Sequence, residues 1–295
     1  MLNKTLYICM ALAAAALASC SSDDDTPATT EGAGENVIRI DPRHPAATRA
    51  TASAFEEGDR IGLFVADAQT PLELSGNLVN NEEVTLRAGT WTTERRLYWD
   101  DGTYNAYAYY PYMDVKSVDD QPFSVATDQT TPRNGNAPGG YEASDLLFAC
   151  TTDVTASTSP ITLRFRHIMS RLTVRLVKGE DFEGEMPTDA QVFVHNTVPA
   201  ATIDLNAGIA TRETKGGRHT IRARQESDYM FAAIVIPQRI DNRMPLVEVV
   251  MKGVSYLVES KFLFKAGTNH LVNVIISDNP EQVKIEVGGE KGDWQ

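Results

Sequence analysis

Val283-Lys-Ile-Glu-Val287 alternates apolar and charged residues without a break, and a period of two recurs along most of the chain. That period puts one residue type on each face of an extended strand, whereas an amphipathic helix needs an apolar stripe every 3.6 residues. No segment carries a sustained helical stripe. Ile61 to Val65, Thr103 to Tyr110, Ile161 to Phe165, Leu172 to Val177, Leu246 to Met251, Val254 to Val258 and Asn269 to Ile276 read as strands. Met230 to Ile236 is apolar throughout, the pattern of a strand buried on both faces. Gly, Pro, Asn and Asp punctuate these runs at short spacing, which predicts an all-β fold of sandwich type. No fixed repeat is present. The 295 residues allow two sandwiches of roughly 120 residues each, with a boundary expected between His167 and Arg171: residues 37–168 and 169–295.

The first 36 residues do not share the pattern. Lys4 precedes a short apolar run, Leu6 to Leu17, and small residues follow. This is the layout of a secretory signal peptide, 1–19, and too short to cross about 30 Å of hydrocarbon as a helix. Leu17-Ala-Ser-Cys20 resembles a lipobox, at which a bacterial lipoprotein is acylated on the cysteine thiol and cut just before it. The lipid bilayer would then be a partner through the Cys20 acyl chains, since stable anchoring takes more than one chain. Asp23-Asp24-Asp25 resembles the surface-export signal of lipoproteins in the Bacteroides group. Residues 20–36 are Ser, Asp, Thr, Ala, Gly and Glu, the composition of a flexible tether.

Net charge is −13, and losing Lys4 with the signal leaves −14. Such a chain is repelled by phosphate backbones, which argues against nucleic acid as a partner. Cys9 leaves with the signal and Cys20 is the acylation site, so Cys150 is left alone. It reads as a small buried residue. The five histidines show no metal-site spacing, no G-x-S-x-G elbow is present, and Gly32-Ala-Gly34 lies in the tether. Adjacent acids such as Glu56-Glu57 and Asp100-Asp101 read as solvated turns. His167 reads as a hydrogen-bonded core or hinge histidine. The sequence therefore predicts no catalytic residue, no metal and no cofactor.

Eight aromatics crowd between Trp91 and Tyr112. On a strand, Tyr104, Ala106, Ala108 and Tyr110 share one face, and Tyr107 and Tyr109 the other. Core packing is the favoured reading. The alternative is an exposed platform for sugar rings on a monomeric glycan-binding lipoprotein. Two short pieces carry the functional argument instead. Val37-Ile-Arg-Ile40 opens the ordered chain, and 283–287 lies near its end. Either can complete a sheet edge in its own fold or in a neighbour's. Between the first piece and the next strand, Ala47-Thr-Arg49-Ala50-Thr51 is a small-residue stretch of the kind proteases cut.

These features together resemble the fimbrillin family of the Bacteroides group, the lipoprotein precursors of type V pili. The matching residues are Leu17 to Cys20, Thr48-Arg49-Ala50, Phe55, Gly58-Asp59 and Ile61-Gly-Leu-Phe64. Next come Trp91, Tyr98-Trp99, Tyr109-Tyr-Pro-Tyr112, Asp128-Gln129 and Ser144-Asp-Leu-Leu147. Phe165, His167, Ser170-Arg171-Leu172, Pro237-Gln238, Ala266-Gly267 and Trp294 complete the set. The resemblance implies two transthyretin-like β-sandwich domains and export to the outer membrane surface as a lipoprotein. It also implies cleavage after an arginine by a processing protease, then polymerisation with other pilin subunits into a fimbrium. Arg49, with Ala50 following, is the best match to the processed arginine; Arg43 and Arg60 are rivals. Val37, Ile38 and Ile40 would leave with the cleaved segment. Val283, Ile285 and Val287 would enter the opened groove of another copy, the tail standing outside its own sandwich until then.

Overall fold

The computed structural model describes residues 36–45 and 54–291. In the first part of the chain the strands are β1 (Ile40–Arg43), β2 (Arg60–Asp67), β3 (Val79–Arg87), β4 (Thr90–Thr93), β5 (Thr103–Tyr110), β6 (Gln121–Ser124), β7 (Leu147–Thr155), β8 (Ile161–Arg164) and β9 (Arg166–His167). A short helix, α1 (Gly140–Ser144), precedes β7. Then follow β10 (Ser170–Lys178), β11 (Gln191–Thr197), β12 (Ala200–Asp204), β13 (Ile209–Arg212), β14 (His219–Arg222), β15 (Arg224–Ser227) and β16 (Met230–Val235). The last four are β17 (Gln238–Met251), β18 (Val254–Phe264), β19 (Asn269–Ile276) and β20 (Lys284–Lys291). The chain is nearly all β, as its periodicity predicts.

A six-stranded sheet runs in the order β4-β3-β2-β5-β7-β9, and β1 pairs with β8 in a separate two-stranded ladder. The later strands form a five-stranded sheet, β15-β16-β10-β19-β20, and a four-stranded sheet, β14-β11-β17-β18. One ladder joins the two parts of the chain: β6 pairs antiparallel with β12, Ser124 opposite Ala200, and β13 extends that sheet.

Two hydrophobic cores result, and the sheet of β2 and β5 lies between them. Ile61, Leu63, Tyr104, Ala106, Ala108 and Tyr110 face the smaller core; Phe64, Tyr107 and Tyr109 face the larger. A strand buried on both faces has no use for polar residues on either, which explains the unbroken run Ile61 to Ala66. Gly62 is part of the same fit: a Cβ there would lie 2.3 Å from the Tyr109 ring. Phe231 to Ile236 are all buried, as their continuous apolar pattern requires.

Candidate assembly site

The segment from Asn36 to Pro45 is held on two sides. Ile38 donates its N–H to the Leu97 carbonyl at 2.9 Å, and Trp99 donates to Asn36 at 2.7 Å. Two residues on, the chain turns to another partner. β1 runs parallel to β8, Ile40 opposite Ile161, with Ile161 and Phe165 donating to the carbonyls of Arg39 and Arg43. Alternation decides which side chains go inward. Ile38 and Pro42 are buried and Ile40 is half-buried, while Arg39 and Arg43 face solvent. Ile38 joins the smaller core with Leu97, Trp99, Ile161, Leu163 and Phe165. Full burial of one such side chain stabilises by about 1.5–3 kcal/mol, so this short segment is held firmly.

Phe55 packs against that core, with His44 beside it. The two rings meet edge to face with centroids 4.9 Å apart. Phe55 in turn packs on Trp91, Tyr110 and Phe165. Burial pushes the His44 imidazole below its usual pKa. Arg49 and Ala50 lie outside the described residues, as do Cys20 and Trp294.

Beside this junction is a polar cavity of about 230 Å³ lined by Asp59, Arg133, Glu142, Asp145 and Arg224 among others. Its charges neutralise one another. Arg133 pairs with Asp59 and Glu56, and Arg224 with Glu142. Tyr110 donates its hydroxyl to Asp59 at 3.1 Å, and burial beside that carboxylate pushes the phenol far up. His167 is buried with Nδ1 2.9 Å from Asp145 Oδ1, the core histidine the sequence suggests. Paired charges of this kind fix loops in place; they offer no poised base or nucleophile. Among the described residues no group of three His, Cys, Asp or Glu could hold a metal ion.

The tail corrects one expectation. It does not stand clear of its own sandwich: β20 pairs antiparallel with β19, Ile285 opposite Val274 and Val287 opposite Val272. The physical reason is that β19 offers an apolar edge. Val283 and Ile285 gain cover against the larger core, while Lys284 and Glu286 face water. The side-chain alternation is therefore as read, although Val287 is 61% exposed.

Two other readings are settled by burial. Tyr104, Tyr107, Tyr109, Tyr110 and Trp99 are interior, and of the aromatic cluster Tyr98 alone is strongly exposed, at 56%. The row of open rings that a glycan platform needs is not formed. Cys150, expected inside, is exposed. It stands opposite Tyr107 on β7, where the strand passes beyond the core that covers Leu147 to Ala149.

Three structural residues entered the sequence reading as motif members without a role. The buried Gln129 amide accepts from the Ile234 N–H at 2.8 Å and donates to its carbonyl at 2.7 Å, acting as one residue of strand beside β16. Arg171, also buried, binds both carboxylate oxygens of Glu226 at 2.6 and 2.7 Å. Asp59 is the acceptor described above. Only their place in a motif could have signalled them.

Packed sheets, interior aromatics and internally paired charges define a structural β-sandwich protein. The fimbrillin-like family model matches residues 48–294, and the chain belongs to that family, whose members are structural and adhesion proteins rather than enzymes. Among solved structures, a candidate cell adhesion protein from Bacteroides ovatus ATCC 8483 matches with a TM-score of 0.66 at 18% identity, over 87% of this chain and 97% of its own. One from Bacteroides uniformis ATCC 8492 matches with a TM-score of 0.64 at 20% identity, over 89% and 100%. At these identities the likeness shows a shared fold. No curated protein matches the sequence.

Proposed function

We propose that the chain is a pilus subunit, exported to the outer membrane surface as a lipoprotein acylated on Cys20 and cleaved after Arg49. Residues 37–168 and 169–295 act as its two sandwich units. The subunit polymerises by strand exchange with other pilin subunits. The observation that carries this reading is the placement of the first segment. Ile38, Ile40 and Pro42 close a core edge just before the candidate cleavage site, and among the described residues β8 has no strand partner other than β1. Removing them opens an apolar groove and leaves backbone groups unpaired, each costing roughly 1–3 kcal/mol where buried. A replacement strand must carry apolar residues at every second position, as β1 does in its parallel pairing with β8. Val283, Ile285 and Val287 have that spacing, and a slip of one residue would turn Lys284 and Glu286 inward. Leaving β19 costs the tail its ladder with that strand and the half-burial of Val283 and Ile285, which pairing with β8 of another copy would replace.

The membership in a fimbrillin-like family and the fold shared with a cell adhesion protein support a role at the cell surface. Three measurements test the reading. The N-terminus of protein recovered from cells is expected at Ala50, and Cys20→Ala is expected to abolish fatty-acid labelling. Trypsin-like cleavage near Arg49 is expected to convert monomer into a ladder of polymers that Ile285→Asp blocks. A cleaved wild-type protein that stays monomeric at high concentration would overturn strand exchange.

A further inference from the structure

The 11-residue strand β18 is an edge of the four-stranded sheet: among the described residues it pairs with β17 alone, with the turn Pro280–Gln282 close by. None of its backbone groups bonds to a turn, loop or other sheet among the described residues. Long open edges usually invite pairing, and proteins commonly blunt them with an inward-pointing charge, a proline or a bulge. Here the inward side chains are Tyr256, Val258, Phe262 and Phe264, all buried, with the half-buried Ser260 between them, and none is charged. The outward face carries Leu257 and Leu263, 44% and 45% exposed, on either side of Glu259 and Lys261.

That order reads the same in both directions about Ser260. We propose that β18 pairs antiparallel with β18 of a second copy, about a two-fold axis through Ser260, joining two four-stranded sheets into one. In this register Leu257 stands opposite Leu263, and Glu259 opposite Lys261, each contact occurring twice by symmetry. On the inner face Val258 meets Phe262 and Tyr256 meets Phe264. Opposite charges and apolar pairs directly across an antiparallel ladder stabilise it, and like charges there destabilise it. A shift of two residues either way would set Glu259 opposite its own copy, or Lys261 opposite its own. The charge pattern therefore selects the register as well as the partner. The occupant is a second copy because the strand is complementary to itself, the condition a two-fold interface imposes. This edge is distinct from β1 and β20, so the pairing does not depend on strand exchange and would join subunits, or filaments, side by side.

The test uses full-length chain carrying Cys9→Ser, Cys20→Ser and Cys150→Ser, in detergent. Sedimentation at rising concentration is expected to show a dimer. Lys261→Glu and Glu259→Lys each place like charges across the axis twice and are expected to weaken it about tenfold or more. The double exchange, Glu259→Lys with Lys261→Glu, is expected to return it to within about threefold of the parent. Ser260→Cys is expected to form a symmetric disulfide on mild oxidation, since facing residues in such a ladder lie about 4.5–5.5 Å apart. A chain that stays monomeric, or a dimer indifferent to both charge reversals, overturns the proposal. So does failure of the Ser260→Cys variant to cross-link.

Discussion

Single side chains decide how tightly this fold is fitted. Gly62 has no room for a Cβ because the Tyr109 ring lies against its backbone. Tyr109 is itself fixed by a hydroxyl bond to the Asn81 side chain at 2.5 Å. Gly62→Ala is therefore expected to cost about 1–3 kcal/mol of overpacking, read as a lower urea midpoint with unchanged slope. The histidines set a pH dependence. Burial lowers the pKa of His44 and of His270, whose Nε2 accepts the Lys265 N–H at 3.1 Å. Both therefore take up protons at lower pH in the folded chain than in the unfolded chain, where an imidazole titrates near about 6.5. The unfolded state then binds more protons, so stability falls as pH drops below that value. Melting temperature is expected to decline from pH 7.5 to 5.5, and less steeply in the double variant His44→Gln, His270→Gln. An equal slope in that variant would remove the histidines as the cause.

At the level of strands, the clearest case is Gln129. Its amide replaces the missing ladder partner of Ile234, and Gln129→Ala would leave a buried N–H and a buried carbonyl without one. Two such groups predict a loss of about 2–5 kcal/mol, measurable by denaturant titration, with Gln129→Asn unable to restore both bonds. This element also marks where sequence reading ran out. Thr103 to Tyr110 and Asn269 to Ile276 were legible to the residue, because long alternating or continuous apolar runs allow one register. The strands from Gln191 to Ser227 were not. All five are four to seven residues long, and polar residues such as His195, Thr220 and Arg224 interrupt them, so no period develops. The front of β17 was missed because Asp241-Asn-Arg243 breaks the apolar pattern at a register shift. Of the candidate assembly site, the alternation of 37–40 and 283–287 was visible, but not the two-sided clamp on the first or the pairing of the second with β19. Those depend on neighbours more than 50 residues away or on edges that only the folded sheet creates.

For the whole molecule the governing quantity is charge. Cleavage after Arg49 removes six acids and three arginines beyond the signal, so a subunit beginning at Ala50 carries −11. Subunits of like sign repel as they approach, and the repulsion reaches about 30 Å at 0.01 M salt but only about 8 Å at 0.15 M. The proposed exchange itself is driven by apolar burial and backbone pairing, which added salt does not weaken. Polymer growth from cleaved subunits is therefore expected to speed up between 0.01 and 0.15 M sodium chloride and to level off once the charges are screened. Association driven by attraction between oppositely charged faces predicts the reverse, a rate that falls as salt rises. Light scattering after protease addition distinguishes the two, provided cleavage is complete before growth is timed. Reversing four exposed acids outside β1, β8, β20 and the segments they pair with, such as Glu73, Asp119, Asp189 and Asp228, would bring the subunit from −11 toward −3. That variant is expected to grow as fast in low salt as the parent does in high salt. Slow growth of the variant at every salt concentration would place the barrier in release of the first segment, whose hold on β8 and Leu97 does not involve net charge.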